Sequence, residues 1–194
     1  MKKVVMFFLA IFAITSFSGC GYNSIQKNDE AVNAAHAQVL SVYKKRADLI
    51  PNLVEIVKGY ASHEKKVFTE VATARAKATQ IALPSNATPE QAQAFLESQK
   101  GLQSSLSRLI AIAENYPQLK ADQGFRDLQR QLEETETQAT AVRNKYIRSI
   151  QAYNDTVRKF PTNITAWLFG YERKPQLQFE DETEIKKSPK VIFN

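Results

Sequence analysis

The sequence predicts an all-α fold, an antiparallel four-helix bundle with one extended C-terminal helix and a loose C-terminal tail. The 194 residues include only 6 glycines and 7 prolines, too few for a turn-rich β-sandwich or barrel. In four long stretches the apolar residues recur at alternating spacings of three and four, which is typical of helices packed in a bundle. No stretch alternates apolar and polar residues for long enough to predict a strand.

The N-terminal segment has the parts of a secretory signal peptide. Two lysines are followed by an unbroken apolar run over residues 4–14 and then by a Ser-Gly-Cys triplet at residues 18–20. The apolar run is shorter than the about 20 residues that a spanning helix needs. The triplet resembles the lipobox of bacterial lipoproteins. We therefore expect residues 1–19 to be a signal peptide, with cleavage between Gly19 and Cys20.

Cys20 is the only cysteine of the chain, which excludes a disulfide framework, a Cys-based zinc cluster and a CxxC redox pair. In lipoproteins this cysteine carries a diacylglycerol and the new amino end is acylated. Two or three acyl chains give durable membrane binding, whereas one gives marginal binding. The sequence thus predicts lipid attachment at Cys20, and the alternative is an uncleaved N-terminal transmembrane helix.

The first two predicted helices meet at residues 46–51. The apolar row of the first contains Ile25, Val32, His36, Val39 and Tyr43. The row of the second contains Leu53, Val57, Tyr60, Glu64, Val67, Val71, Ala74 and Ala78. Pro51 either opens a new helix, with Asp48 as its N-cap, or kinks a single long one. We expect a reversal, because one helix from residue 23 to residue 78 would lack partners for much of its length.

The third and fourth helices have clear N-terminal signals. Thr88 precedes Pro89 and Glu90, which predicts an N-cap with proline in the first turn, and Asp122 is a second N-cap candidate. The third row contains Phe95, Gln99, Leu102, Leu106, Leu109, Ala113 and Tyr116. The fourth row contains Phe125, Leu128, Leu132, Thr135, Ala139, Val142, Tyr146, Ser149, Tyr153, Thr156 and Phe160. A helix of that length spans about 54 Å and is expected to outreach its partners.

These elements define three segments of the chain. A helical bundle domain is expected over residues 20–160, after the signal peptide. The pattern stops at Pro161, where a short apolar piece over residues 164–169 contains Trp167. We expect residues 161–194 to form a short helix and an extended tail.

The net charge of +6 does not indicate a nucleic-acid partner. Removal of the two signal-peptide lysines leaves 24 basic against 20 acidic residues, a net charge of +4. The basic residues are dispersed and interrupted by acidic ones, unlike a nucleic-acid-binding face. The balance fits solvation, or weak attraction to anionic lipid head groups or cell-wall polymers.

Catalytic and metal motifs are incomplete. His63-Glu64 begins like the zinc motif HExxH, but Val67 stands where the second histidine is needed. A site built from His36 with His63 or Glu64 is the alternative to a structural role. There is no nucleophile elbow and no glycine-rich phosphate loop. We expect no cofactor, no metal and no enzymatic activity.

Glu64 is the unusual residue, because it falls in an apolar row. A buried carboxylate requires a partner, and the candidates on another helix are Arg46, Arg143 or a hydroxyl like that of Tyr60. Arg75 lies about 16 Å along the same helix and is too far away.

Several strings of the chain resemble the LemA family of bacterial envelope proteins. They are RADLIPNLV at residues 46–54, VKGY at 57–60, His63-Glu64, ARA at 74–76, AENYPQLKA at 113–121, residues 132–136, Tyr153-Asn154 and Phe160-Pro161. The resemblance implies a four-helix bundle tethered to a membrane at its N-terminus, with its soluble part outside the cytoplasm and no established activity. The motif residues expected to have structural roles are Arg46, Asp48, Pro51, Asn52, Tyr60, His63, Glu64, Arg75, Glu136, Arg143 and Asn154. Of these, Arg46, Asp48, Glu64, Arg75, Glu136 and Arg143 are expected to form interhelical polar pairs.

Together these features predict a membrane-anchored scaffold or interaction module of the cell envelope, on the periplasmic side of the outer membrane where the cell has two membranes. An envelope protein is the expected partner, docked on the long fourth helix and the segment around Trp167. The alternative is a small-ligand binder or enzyme with a polar pocket around Glu64, Arg75 and Arg143.

Overall fold

The structure, a computed structural model, describes the backbone of residues 2–176 and the side chains of residues 21–176. The side chain of Cys20 and the predicted tail from residue 177 onward lie outside the described part. Helices account for nearly all of the described backbone, which contains no strand, so the all-α class is confirmed. The helices are α1 (Lys2–Tyr60), α2 (Lys65–Gln80), α3 (Pro89–Ile112), α4 (Pro117–Ala121), α5 (Gln123–Arg158) and α6 (Thr162–Phe169), with a 3₁₀ turn at Ala113–Asn115.

α1 continues through Pro51, so the expected reversal at residues 46–51 is wrong. Proline has no amide to donate to the carbonyl four residues earlier, here that of Ala47. The Nε of Arg75 donates to this carbonyl at 2.8 Å and supplies the missing hydrogen bond. A helix can therefore pass through the proline without leaving the carbonyl unsatisfied.

The chain leaves α1 ten residues after Pro51. Ala61 donates the last helical bond, to the carbonyl of Val57 at 2.9 Å, and the amide of Glu64 then closes a turn on the carbonyl of Ala61 at 3.1 Å. The second predicted helix is thus divided between the end of α1 and α2. Glu64 lies in the connection, where its side chain is half-buried instead of within an apolar row.

The N-caps predicted for the third and fourth helices are confirmed. The Thr88 hydroxyl accepts from the amide of Gln91 at 3.3 Å, and the Gln91 side chain accepts from the amide of Thr88 at 2.9 Å, which completes a capping box. The carboxylate of Asp122 accepts from the amide of Phe125 at 2.8 Å at the start of α5. These bonds satisfy amides that have no partner within the helix.

The predicted fourth helix corresponds to α5, which has 36 residues. The expectation that it would exceed its partners in length is wrong, because α1 has 59 residues. That difference follows from the continuation of α1 through Pro51. Among the described residues, no helix contains a stretch that is both long enough and apolar enough to cross a membrane.

The chain divides into two compact units, and α1 and α5 each contribute to both. Within the described part, one unit contains residues up to Val39 and residues 142–176. Its buried apolar residues are Ile25, Val32, Ala35, Val39, Tyr146, Ile147, Ile150, Tyr153, Val157 and Ala166. The imidazole of His36 lies beside Tyr146, with ring centroids 5.5 Å apart.

The other unit contains residues 40–141. Its core lies among α1, α2, α3 and α5 and consists of Ile50, Leu53, Val57, Ala61, Phe68, Val71, Ala78, Leu102, Leu106, Leu109, Ile112, Ala113, Leu119, Phe125 and Leu132. Most positions of the predicted third row are buried in this core or beside it. Tyr60, which the second predicted row places inside, is exposed.

Candidate functional site

The polar motif residues make contacts at several places in the fold. Pro51 and Arg75 form the first of these places, where the Arg75 guanidinium holds the carbonyl of Ala47. Both residues also line a cavity of about 260 Å³, together with Glu55, Lys58 and Phe68. Neither Glu64 nor Arg143 lines this cavity. This cavity is therefore not the pocket predicted around Glu64, Arg75 and Arg143. Arg75 lines it but holds the carbonyl of Ala47.

Arg46 and Glu136 form an ion pair between α1 and α5. The Arg46 side chain is only 4% exposed, and that of Glu136 is 35% exposed. A buried guanidinium requires such a partner, since an unpaired charge in the interior is strongly destabilising. Arg46, one of the candidate partners of Glu64, is thus paired with Glu136.

Tyr60 and Asp122 join the end of α1 to the start of α5. The Tyr60 hydroxyl donates to one oxygen of the Asp122 carboxylate at 3.0 Å, while the other oxygen caps α5 through Phe125. The amide of Phe125 lowers the pKa of Asp122 most, and the Tyr60 hydroxyl lowers it further. The same hydrogen bond raises the pKa of Tyr60, because it favours the protonated phenol beside a carboxylate.

Asn154 holds the segment that follows α6. Its side-chain amide donates to the carbonyl of Lys174 at 2.8 Å, and its carbonyl oxygen accepts from the amide of Lys174 at 2.8 Å. The hydroxyl of Tyr153 donates to the carbonyl of Glu172 at 3.1 Å, and the ammonium of Lys174 pairs with Asp29 at 2.9 Å. The segment from Tyr171 to Lys174 is therefore held against α1 and α5, whereas the predicted tail from residue 177 onward lies outside the described part.

The remaining motif residues do not converge on one site. His63 and Asn52 are exposed, and Asp48 pairs with Lys44 on the surface of α1 at 3.0 Å. Arg143 is buried in the unit that contains residues 142–176. Glu64 is half-buried, so the prediction that it is a buried carboxylate is wrong.

No metal centre forms within the part of the chain that the structure describes. No three side chains of histidine, cysteine, aspartate or glutamate come close enough there to bind one ion. The potential ligands are dispersed in the same way as the motif residues.

A second cavity, a groove of about 350 Å³, lies beside α1 and α3. Apolar side chains form most of it, with Tyr43 and Phe95 in edge-to-face contact at 5.0 Å between centroids. Lys44 and Asp48 supply charges, and the buried Gln99 side chain donates to the carbonyl of Ala78 at 3.1 Å. This groove has the composition of a small-molecule site, mainly apolar with a few polar groups.

The sequence did not reveal the partners of two motif residues, Arg75 and Asn154. It predicts Arg75 in an interhelical polar pair or, in the alternative, in a polar pocket, and it gives Asn154 no specific partner. For Arg75 a signal exists, because every proline within a helix frees the carbonyl four residues earlier and calls for another donor. For Asn154 no local signal exists, since its partner is a backbone segment of irregular structure.

Comparison with known proteins agrees with the resemblance to the LemA family that the sequence indicates. The chain is 22% identical to magnetosome proteins MamQ 1 and MamQ 2 of Paramagnetospirillum magneticum, over 90% of this chain and 71% of each relative. It is also 22% identical to magnetosome protein MamQ of Magnetospirillum gryphiswaldense, over 78% of this chain and 62% of that protein. The LemA family model matches residues 35–193. The chain therefore belongs to the LemA family.

Proposed function

We propose that this protein is a membrane-anchored scaffold of the bacterial cell envelope without catalytic activity. A lipid on Cys20 anchors it, or an uncleaved N-terminal transmembrane helix in the alternative form. The long helices pack as an antiparallel four-helix bundle outside the cytoplasm, facing the periplasm from the outer membrane where the cell has two membranes. An envelope protein is its partner.

One observation carries the proposal: the polar motif residues are engaged in contacts that hold helices and chain ends together. Arg75 holds the carbonyl of Ala47, Arg46 pairs with Glu136, and Asn154 holds the backbone of Lys174. Groups held in this way are not available to bind a substrate. Their use favours a rigid helical body that presents its outer surface to other components.

The relatives support a role tied to a cell structure instead of to a reaction. Three of them are named as magnetosome proteins, which places them by compartment and states no chemistry. By analogy, we extend to this chain an association with a structure of its own cell.

In-cell crosslinking tests the scaffold proposal. A photo-crosslinking residue is placed at Gln138 and at Glu133, two exposed positions of α5, and adducts are identified by mass spectrometry. The same residue at the buried Ala139 is the matched control, since it does not reach the surface. We expect one envelope protein to recur at the exposed positions and to be absent from the control. If the exposed positions give no adduct beyond the control, the scaffold proposal is wrong.

A second candidate function, binding of a small ligand, is favoured by the groove beside Tyr43 and Phe95. Substitution Ala82→Trp would fill this groove, which Ala82 lines. If the function depends on a ligand in this groove, the variant loses the function. Its crosslinks to the envelope partner persist. Equal behaviour of the variant and the natural protein excludes the groove as the functional site.

A further inference from the structure

The helix α6 carries its apolar side chains outward. Thr165 and Ala166 are buried against the rest of their unit, with 8% and 2% exposure. Phe160, just before the helix, and the outward residues Ile164, Trp167, Leu168 and Phe169 are here termed the α6 patch, and their exposed fractions run from 56% to 82%. This is the reverse of the polarity of an ordinary surface helix. A group of large apolar side chains exposed so close together in the chain marks an interaction surface.

α6 is fixed beside the first residues after Cys20. Gly21 allows this close approach, because a Cβ at Gly21 would lie 2.9 Å from the Thr165 hydroxyl oxygen. The ring of Tyr22 lies 5.1 Å from that of Phe169, and Gln26 bonds to the hydroxyl of Tyr171. The α6 patch is therefore at the end of its unit that is nearest to the N-terminal apolar segment.

This position determines what the patch faces once the N-terminus is anchored. A lipid on Cys20 and a transmembrane helix ending at about residue 20 both bring Gly21 to the bilayer surface. Because α6 packs on Gly21, it comes to the same surface. Exposed basic residues flank the patch, Arg158 and Lys159 before it and Arg173 after it. They complement the negative surface of anionic lipids.

We propose that the α6 patch lies in the interfacial layer of the bilayer that holds the N-terminus, with Trp167 at the level of the head groups. Tryptophan is enriched at this level because its ring is apolar and its indole N–H is polar. The inference rests on the proposed membrane anchoring and deepens it. The sequence alone favoured a protein partner for the segment around Trp167, and this inference assigns the segment to a lipid surface instead.

Trp167 is the only tryptophan of the chain, so it reports its own environment. The full-length protein is reconstituted into vesicles of phosphatidylethanolamine and phosphatidylglycerol, with either ordinary or brominated acyl chains. Flotation measures anchoring, and tryptophan emission measures contact between the patch and the bilayer. We expect the protein to float with the vesicles and the emission to fall in brominated vesicles.

The double variant Ile164→Ser with Leu168→Ser removes apolar area and keeps the reporter. We expect it to float, to retain its helical circular dichroism and to lose most of the quenching. The matched control Leu40→Ser, at an exposed leucine of the other unit, keeps the quenching. Flotation with equal emission in both kinds of vesicle overturns this inference and leaves the anchoring intact. A natural protein that does not float overturns the anchoring and this inference with it.

Discussion

At the scale of single residues, the contact between Arg75 and the carbonyl of Ala47 explains why Pro51 is tolerated within α1. The contact is local in space and distant in sequence, and it uses the Nε of a half-buried arginine. The contribution of this contact to stability depends on the proline, because only a proline at this position leaves that carbonyl without an amide partner. This dependence can be measured.

We expect Arg75→Met to destabilise the protein by about 1–2 kcal/mol, the cost of leaving a partly buried carbonyl unpaired. Methionine keeps much of the side-chain length and removes the donor. In a Pro51→Ala background the amide of the new alanine can bond to Ala47, so the same substitution should cost less. Urea unfolding followed by circular dichroism, in the four proteins of the double-mutant cycle, gives the coupling energy. An equal cost in both backgrounds would contradict this explanation.

Asp122 gives a prediction about pH. Its pKa in the folded protein is lowered, chiefly by the amide of Phe125 and then by the hydroxyl of Tyr60. A lowered folded pKa means that the unfolded chain binds the proton more readily, so this contribution to stability is present above the unfolded pKa. It is lost as the pH falls through the folded pKa.

We therefore expect Asp122→Asn to be less stable than the natural protein near neutral pH and to lose less stability on acidification. The comparison uses urea unfolding at a series of pH values from about 6 down to about 2.5. Asp155→Asn, at an exposed position of the same helix, is the matched control and should follow the natural protein. Parallel curves for Asp122→Asn and the natural protein would contradict the prediction.

At the scale of elements, the sequence predicts most helices well and misplaces one boundary. Apolar spacing and the caps at Thr88 and Asp122 are local signals, and both helix starts are confirmed. The apolar spacing did not predict the break at residues 61–64. An interruption of four residues is close to one helical turn, so the spacing of three and four continues across it. The proline was read as a breaker because its compensating donor, Arg75, lies on another helix.

The segment after α6 is also held by contacts that no local pattern reveals. Asn154 makes two hydrogen bonds to the backbone of Lys174, one as donor and one as acceptor. We expect Asn154→Ala to weaken the attachment of this segment by about 1–3 kcal/mol, since both bonds are lost. Trypsin should then cleave after Arg173 faster than in the natural protein, because cleavage requires local opening.

The exposed Asn144 on the same helix provides the control for this experiment. Asn144→Ala should leave the cleavage rate unchanged, because its side chain faces solvent. Unchanged cleavage in Asn154→Ala as well would mean that the segment is held by other contacts, such as the pair between Lys174 and Asp29.

At the scale of the whole molecule, the sequence predicts fold class and family but not the places where its polar residues act. Arg46 and Glu136 meet only because α1 and α5 pack together, and no spacing rule relates two such distant positions. The expected burial of Glu64 was wrong because its assignment to an apolar row took no account of the turn at residues 61–64. Local physics determines helices and caps, whereas partners across helices depend on tertiary packing.

The prediction for the whole molecule concerns its anchor. Under the lipoprotein proposal, Cys20→Ala removes the thiol that receives the diacylglycerol, so the protein should lose the mass of its acyl chains and leave the membrane fraction. Fractionation of cells with intact-protein mass spectrometry measures both effects, and Asn23→Ala is the control, since it keeps the thiol. If the Cys20→Ala protein stays in the membrane at a mass changed only by the substitution, the lipid anchor is wrong. The N-terminal segment then acts as an uncleaved helix, and the α6 patch still meets the same bilayer.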